Sequence, residues 1–173
     1  MRGSGRSKRY LGLAAVGAAV ALALALGGPV PNAGAEDEAH RLVFRELGAL
    51  VFNETFTEAD GVIYKDRRGR RRLGTEHIFI GGLVAGPAGE LAVAETVRFD
   101  LDDGTFVEFL TANVAVFLTD PDRLDIVGQG IVTMASDPSL VGMRTRVQGT
   151  LTFTPDPFTA EANRAWSILS SDD

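Results

Sequence analysis

The chain has 173 residues, of which 45% are hydrophobic and 23% are charged, and it contains no cysteine. All 23 acidic residues follow Ala35 but four of the 17 basic residues precede it, so residues 36–173 carry a net charge of −10. A chain this acidic is not expected to bind nucleic acid or an anionic membrane surface as its main partner. The lack of cysteine excludes a disulfide framework.

The first 35 residues have the layout of a secretory signal peptide. Four basic residues precede the uncharged segment Leu11–Leu26, and the small residues Ala33-Gly34-Ala35 follow two prolines. This order of basic, apolar and small residues is typical of a cleaved export signal. The apolar segment is shorter than the roughly 20 residues of a membrane-spanning helix, although an uncleaved anchor is the alternative. We expect cleavage before Glu36, a secreted or periplasmic protein, and no stable membrane anchor after cleavage.

Short runs of β-branched and aromatic residues, bounded by Gly, Asp and Pro, follow each other from Gly61 onward. Such runs predict strands, here near residues 61–65, 73–80, 90–101, 105–118, 124–134, 143–154 and 164–169. Residues 39–52 are ambiguous between a short amphipathic helix and an opening strand pair. We therefore predict one domain over residues 36–173, with an uncertain lead-in at 36–60, a barrel core at 61–155 and a C-terminal segment at 156–173.

Seven or eight antiparallel strands in sequence can form a sandwich or a barrel. Predicted strands of 11 to 14 residues are long for a sandwich, in which about 5–6 residues are typical. Long neighbouring strands joined by tight turns suit a meander that closes on itself and leaves no exposed edge. The expected fold is therefore all-β, a small closed antiparallel barrel of about eight strands.

The hairpin centred on Asp103-Gly104 carries the candidate site. A two-residue turn at this dipeptide would place Phe99 opposite Glu108, and alternation would then bring Glu95 and Glu108 to the same apolar face. Burial raises a carboxyl pKa and suits the group to acid or base catalysis, so both glutamates are candidate catalytic residues. Alternatively, a bulge shifts one strand, or both carboxylates lie in water at the barrel rims. The predicted ligand-binding residues on this face are Val93, Val97, Phe99, Phe106, Leu110 and Val114.

The remaining motifs predict no metal and no cofactor. Only His40 and His77 could join carboxylates in a zinc site, and no cysteine supports them. The segment Asp100–Gly104 lacks the spacing of a calcium loop, and no phosphate or dinucleotide fingerprint occurs. Six of the eight residues 65–72 are basic, which we interpret as a solvated hairpin tip, with an anionic surface or acidic partner as the alternative.

Five segments, taken in order, resemble the allene oxide cyclase and dirigent group of barrels. They lie between Val62 and Phe153 and read "VIYKD", "LGTEHIFIGGLVAGPAGE", "VRFDLDDGTFVEF", "DIVGQGIVTM" and "GMRTRVQGTLTF". The resemblance implies an eight-stranded barrel that holds an apolar ligand. Some members of the group carry out cofactor-free cyclisation, and dirigent members steer radical coupling. No catalytic motif aligns residue by residue, so no functional residue is transferred.

Three functions are compatible with these observations. The first is an exported barrel that binds an apolar small molecule in its interior. The second is a cofactor-free cyclase or isomerase acting on a polyketide-, terpenoid- or lipid-like substrate, which the barrel would fold into a reactive geometry. The third is a structural or interaction protein of the cell envelope. Each is compatible with a monomer or an oligomer.

Overall fold

The computed structural model describes residues 40–86, 90–116 and 122–169. The predicted signal peptide and its cleavage site lie outside the described residues, so both stay predictions. Within the described ranges, no helix is both long enough and apolar enough to cross a membrane.

Eight strands form a closed antiparallel barrel, in which each strand pairs with its neighbours in sequence and the first pairs with the last. This confirms the predicted fold class. The ambiguous segment 39–52 is a strand from His40 onward, and the last strand begins five residues before its predicted start. The strands are β1 (His40–Phe52), β2 (Glu58–Tyr64), β3 (Arg72–Ala85), β4 (Leu91–Leu101), β5 (Phe106–Val116), β6 (Arg123–Ala135), β7 (Arg144–Phe153) and β8 (Thr159–Leu169).

An aromatic cluster packs inside the barrel, because alternate residues of each strand point inward. The Phe99 ring meets Phe44 and Phe109 edge to face, with ring centroids 5.1 Å apart in both pairs. Trp166 stacks on Phe109 at 5.9 Å and meets Phe99 edge to face at 5.7 Å. All four rings are buried. Aliphatic side chains from all eight strands complete this core.

The turn between β4 and β5 differs from the predicted two-residue turn. Leu101 and Thr105 close a three-residue loop: the Leu101 N–H donates to the Thr105 carbonyl at 2.8 Å, and Gly104 adopts a φ of 84°. This pattern is a hairpin loop whose last residue needs the left-handed conformation. The register therefore pairs Phe99 with Val107 instead of Glu108.

A shift of one residue turns every side chain of β5 to the opposite face. The inward residues of β5 alternate through a buried set, namely Val107, Phe109, Thr111, Asn113 and Ala115. The outward set contains four residues that we predicted to face the interior, namely Phe106, Glu108, Leu110 and Val114. On β4, by contrast, Glu95, Val97 and Phe99 are all buried, as expected for side chains that face the interior.

Candidate functional site

A buried ion pair joins the first and last strands. Glu46 of β1 lies directly opposite Arg164 of β8, and each side chain is 1% exposed. Arg164 donates from Nε to Glu46 Oε2 at 2.5 Å and from Nη2 to Oε1 at 2.8 Å. Trp166 also donates from Nε1 to Glu46 Oε2 at 3.3 Å. The Glu46 carboxylate is thus held by a bidentate, charge-assisted pair of hydrogen bonds, which is among the strongest kinds of side-chain contact.

A second carboxyl, that of Glu76 on β3, lies beside this pair. Its Oε1 is 3.6 Å from Arg164 Nη2, which is too long for a hydrogen bond. Gly61 of β2 lies between β1 and β3 and opposite Glu76. A Cβ at Gly61 would lie 3.2 Å from Glu76 Oε2, so the missing side chain leaves room for this carboxyl. Burial and the negative charge of Glu46 raise the pKa of Glu76 well above its usual value, against the opposing effect of Arg164.

The third carboxyl, that of Glu95 on β4, accepts a hydrogen bond from Asn113 Nδ2 at 2.6 Å. Burial raises the pKa of Glu95, while the charge of Arg164 acts in the opposite direction. Asn113 lies opposite Gly128 of β6. A side chain at Gly128 would collide with Asn113 Oδ1, so glycine at this position permits the asparagine to turn toward Glu95.

Five buried polar atoms of the described residues have no hydrogen-bond partner. A buried polar atom normally has one, because leaving it unpaired costs about 1–3 kcal/mol. Here the unpaired atoms lie on β3, β5 and β7, on side chains that are at most 3% exposed. They are both carboxyl oxygens of Glu76, Thr111 Oγ1, Asn113 Oδ1 and Thr145 Oγ1. The apolar barrel therefore buries several polar atoms without a protein partner, and the contact open to a protonated Glu76 is with the Glu46 carboxylate.

The placement of Glu108 in the interior is wrong. Glu108 lies on the outer face, opposite Arg98, and accepts a hydrogen bond from Thr133 Oγ1 at 3.1 Å. The cause is the three-residue loop, which sets the register of β5 one residue away from the prediction. Glu95 and Glu108 therefore do not belong to one site.

The predicted ligand-binding residues divide in the same way. Val97 and Phe99 lie in the core, and Val93 is half-buried. Leu110 and Val114 are 41% and 43% exposed on the outer face. Phe106 lies outside as well, under the guanidinium of Arg98. Of the six predicted residues, only the three from β4 lie where they could contact an interior ligand.

Sequence reasoning missed Glu46, Glu76 and Arg164. The period-2 alternation that predicted an inward position for Glu95 also predicts inward positions for these three residues. Arg164 stands two residues from Trp166, Glu46 two from Phe44 and Glu76 two from Ile78, all of which are buried. Glu46 and Arg164 were missed because residues 39–52 had no assigned structure and β8 was predicted to begin only at Arg164.

The basic segment 65–72 is an ordered hairpin tip between β2 and β3. The Asp66 carboxylate accepts hydrogen bonds from the backbone N–H groups of Arg68, Arg70 and Arg71, and these bonds lower the pKa of Asp66. The arginine side chains of the tip are exposed.

The described residues contain no group of three or more His, Cys, Asp or Glu side chains arranged to hold a metal ion. No known family model, curated protein or solved structure matches this chain. The resemblance to allene oxide cyclase and dirigent barrels therefore stays a prediction.

Proposed function

We propose that the protein is an exported small barrel that binds a predominantly apolar small molecule in its interior. The unpaired polar atoms of Glu76, Thr111, Asn113 and Thr145 carry this proposal. A chain that buries such atoms without a partner loses stability unless something else supplies the missing hydrogen bonds. Ligand sites combine apolar and aromatic walls with a few placed polar groups, which is the composition of this interior. The ligand would therefore have an apolar body and at least one hydrogen-bonding group.

The test is native mass spectrometry of the full chain purified from its own host under gentle conditions. The expected result is a retained molecule, released on denaturation and recovered in the organic extract. A matched control is Val97→Trp, which adds volume at a fully buried inward position of β4 and should exclude the molecule from the folded protein. The variant must show the strand signal of the wild-type protein by circular dichroism. A host-purified wild-type protein that carries no molecule would contradict the proposal.

A second candidate function is favoured by the raised pKa values of Glu76 and Glu95. A buried carboxyl with a raised pKa keeps its proton to a higher pH, and it can donate that proton to a bound substrate and take one back. Two such groups in an apolar interior would suit a cofactor-free cyclisation or isomerisation. The reaction would conserve mass, because a proton added at one position is removed at another.

Conservation of mass makes the two functions distinguishable. The molecule retained by the wild-type protein is compared with that retained by Glu76→Gln and by Glu95→Gln, using chromatography and fragmentation. A binding protein should retain the same molecule in every variant that still retains one. A cyclase or isomerase should retain, in at least one variant, a different molecule of identical mass, namely its unreacted substrate.

A further inference from the structure

The interior has an imbalance of charge. Among the described residues it buries three carboxyls, from Glu46, Glu76 and Glu95, and one cationic side chain, that of Arg164. Arg164 makes both of its hydrogen bonds to Glu46. Its charge therefore balances one carboxylate, and a buried carboxylate without a cation is strongly unfavourable. Without a second cation, burial favours the protonated forms of Glu76 and Glu95 and raises the pKa of both carboxyls.

The hydrogen-bonding groups are unbalanced in the same direction. Three interior donors, the side chains of Arg164, Trp166 and Asn113, already donate to Glu46 and Glu95. Of the five unpaired atoms, the Asn113 carbonyl oxygen and, when ionised, both Glu76 oxygens can only accept. The two threonine hydroxyls can accept as well. A ligand group that pairs with ionised Glu76 must therefore be a donor.

The walls next to Glu76 are aromatic. Phe99 is its direct neighbour on β4 and on the same face, and Phe99 contacts Phe44, Phe109 and Trp166. Aromatic faces attract cations and do not compete for hydrogen bonds. An organic cation can also pack its hydrocarbon body against these rings, which a metal ion cannot.

We infer that the ligand of the barrel is a small amine, bound as an ammonium ion against Glu76 with its hydrocarbon body among the aromatic rings. An ammonium group supplies three N–H donors, no acceptor and one positive charge. It would therefore balance the charge of ionised Glu76 and donate hydrogen bonds to it. This inference rests on the proposed binding function and specifies the polar group of the ligand.

Amine binding has a measurable consequence in protons. In the free protein Glu76 is faced by the carboxyls of Glu46 and Glu95 and by the guanidinium of Arg164, and burial favours its neutral form. An ammonium beside it favours the ionised form. Binding should therefore ionise Glu76, and the proton should pass to the buffer while the amine keeps its own. Below the pKa of Glu76 in the free protein, up to one proton should be released per amine bound.

The experiment compares three probes with the same carbon chain, n-hexylamine, n-hexanol and hexanoate, on the full chain. Binding is measured by calorimetry in two buffers of different ionisation enthalpy, which counts the released protons without any variant. The expected result is that the amine binds at least about 10-fold more tightly than the alcohol, as for a hydrogen bond to a charged group, and that the carboxylate binds least.

Two variants assign the effect to its residue. Glu76→Gln should weaken amine binding by about 10- to 100-fold and abolish proton release, whereas Glu108→Gln, the same change on the outer face, should alter neither. If the alcohol or the carboxylate binds as tightly as the amine, or if no proton is released, the amine inference is overturned while small-molecule binding stands. If no probe binds, the amine inference also fails, and the molecule retained from the host decides the proposed function separately.

Discussion

At the scale of single residues, the stability of the barrel depends on which buried charges have partners. Replacing Arg164 with Met keeps the length of the side chain but leaves Glu46 without its cation. We expect Arg164→Met to lower the free energy of unfolding at pH 7 by about 3–5 kcal/mol, as for other buried pairs that lose one member. Urea denaturation measures this loss.

The companion experiment removes both charges. Glu46→Leu combined with Arg164→Met should recover most of the lost stability, because well-packed apolar residues often replace a buried ion pair without penalty. A double variant whose loss equals the sum of the two single losses would show that the two residues act independently, contrary to the contact between them.

Glu95 provides the pH-dependent prediction. Its folded-state pKa is raised above that of the unfolded chain, so the folded state binds more protons in the interval between the two values. The wild-type protein should therefore lose stability as the pH rises from about 4.5 through the folded-state pKa of Glu95. Glu95→Gln removes this loss and keeps an oxygen that can accept from Asn113.

The free energy of unfolding of Glu95→Gln should exceed that of the wild-type protein by roughly 1 kcal/mol at pH 7 and by less at pH 4. Denaturation series at several pH values measure both differences. The control is Glu108→Gln, which changes an outward carboxyl of the adjacent strand. A Glu95→Gln difference that does not vary with pH would place the Glu95 carboxyl in water.

At the scale of elements, the β4–β5 loop decides which side chains of β5 enter the barrel. Gly104 holds a φ of 84° there, and no heavy atom lies within 4 Å of where a Cβ would be. Gly104→Ala should therefore cost about 1 kcal/mol from backbone strain alone. Gly104→Asn should cost less, because asparagine tolerates the left-handed conformation. Equal stability of all three proteins in urea would contradict a left-handed loop residue.

The β2–β3 tip should tolerate the loss of its charges. Replacing Arg70, Arg71 and Arg72 together with Ser keeps the backbone N–H groups that donate to Asp66. The ion pair between Arg72 and Asp102 is 3.6 Å long with both side chains half exposed, and such pairs contribute little. Thermal and urea unfolding should change by no more than about 0.5 kcal/mol. A loss of several kcal/mol would give the tip a structural role.

The β4–β5 loop shows how much of this structure can be predicted from the sequence. Strand positions and the closed meander follow from local alternation and turn residues, and most predicted strands lie within a few residues of the observed ones. Asp103-Gly104 is compatible with both a two-residue and a three-residue loop, which differ by one position and by the orientation of all of β5. The Glu46–Arg164 contact joins residues 118 positions apart, so it depends on the register of β1 against β8, which no local pattern encodes.

At the scale of the whole molecule, the order of residues in the predicted signal peptide leads us to expect an exported protein that begins at Glu36. N-terminal sequencing or intact mass of protein recovered from outside the cytoplasm measures this directly. Replacing Ala33 and Ala35 with bulky residues should block cleavage, because the processing site needs small side chains. Mature protein that keeps its first 35 residues, or that accumulates in the cytoplasm, would contradict export by this route.

Closure of the barrel through β1 and β8 also fixes when the protein can fold. While a ribosome is still synthesising β7, one edge of β1 is unpaired, and Arg164, the ion-pair partner of Glu46, has not yet been made. The native barrel can form only after Thr159–Leu169 has been made, and pairing between such distant segments is slow. The nascent chain would therefore stay unfolded throughout most of its translation. If the predicted export uses a translocase that threads extended polypeptide, this unfolded chain is the form that such a translocase transports.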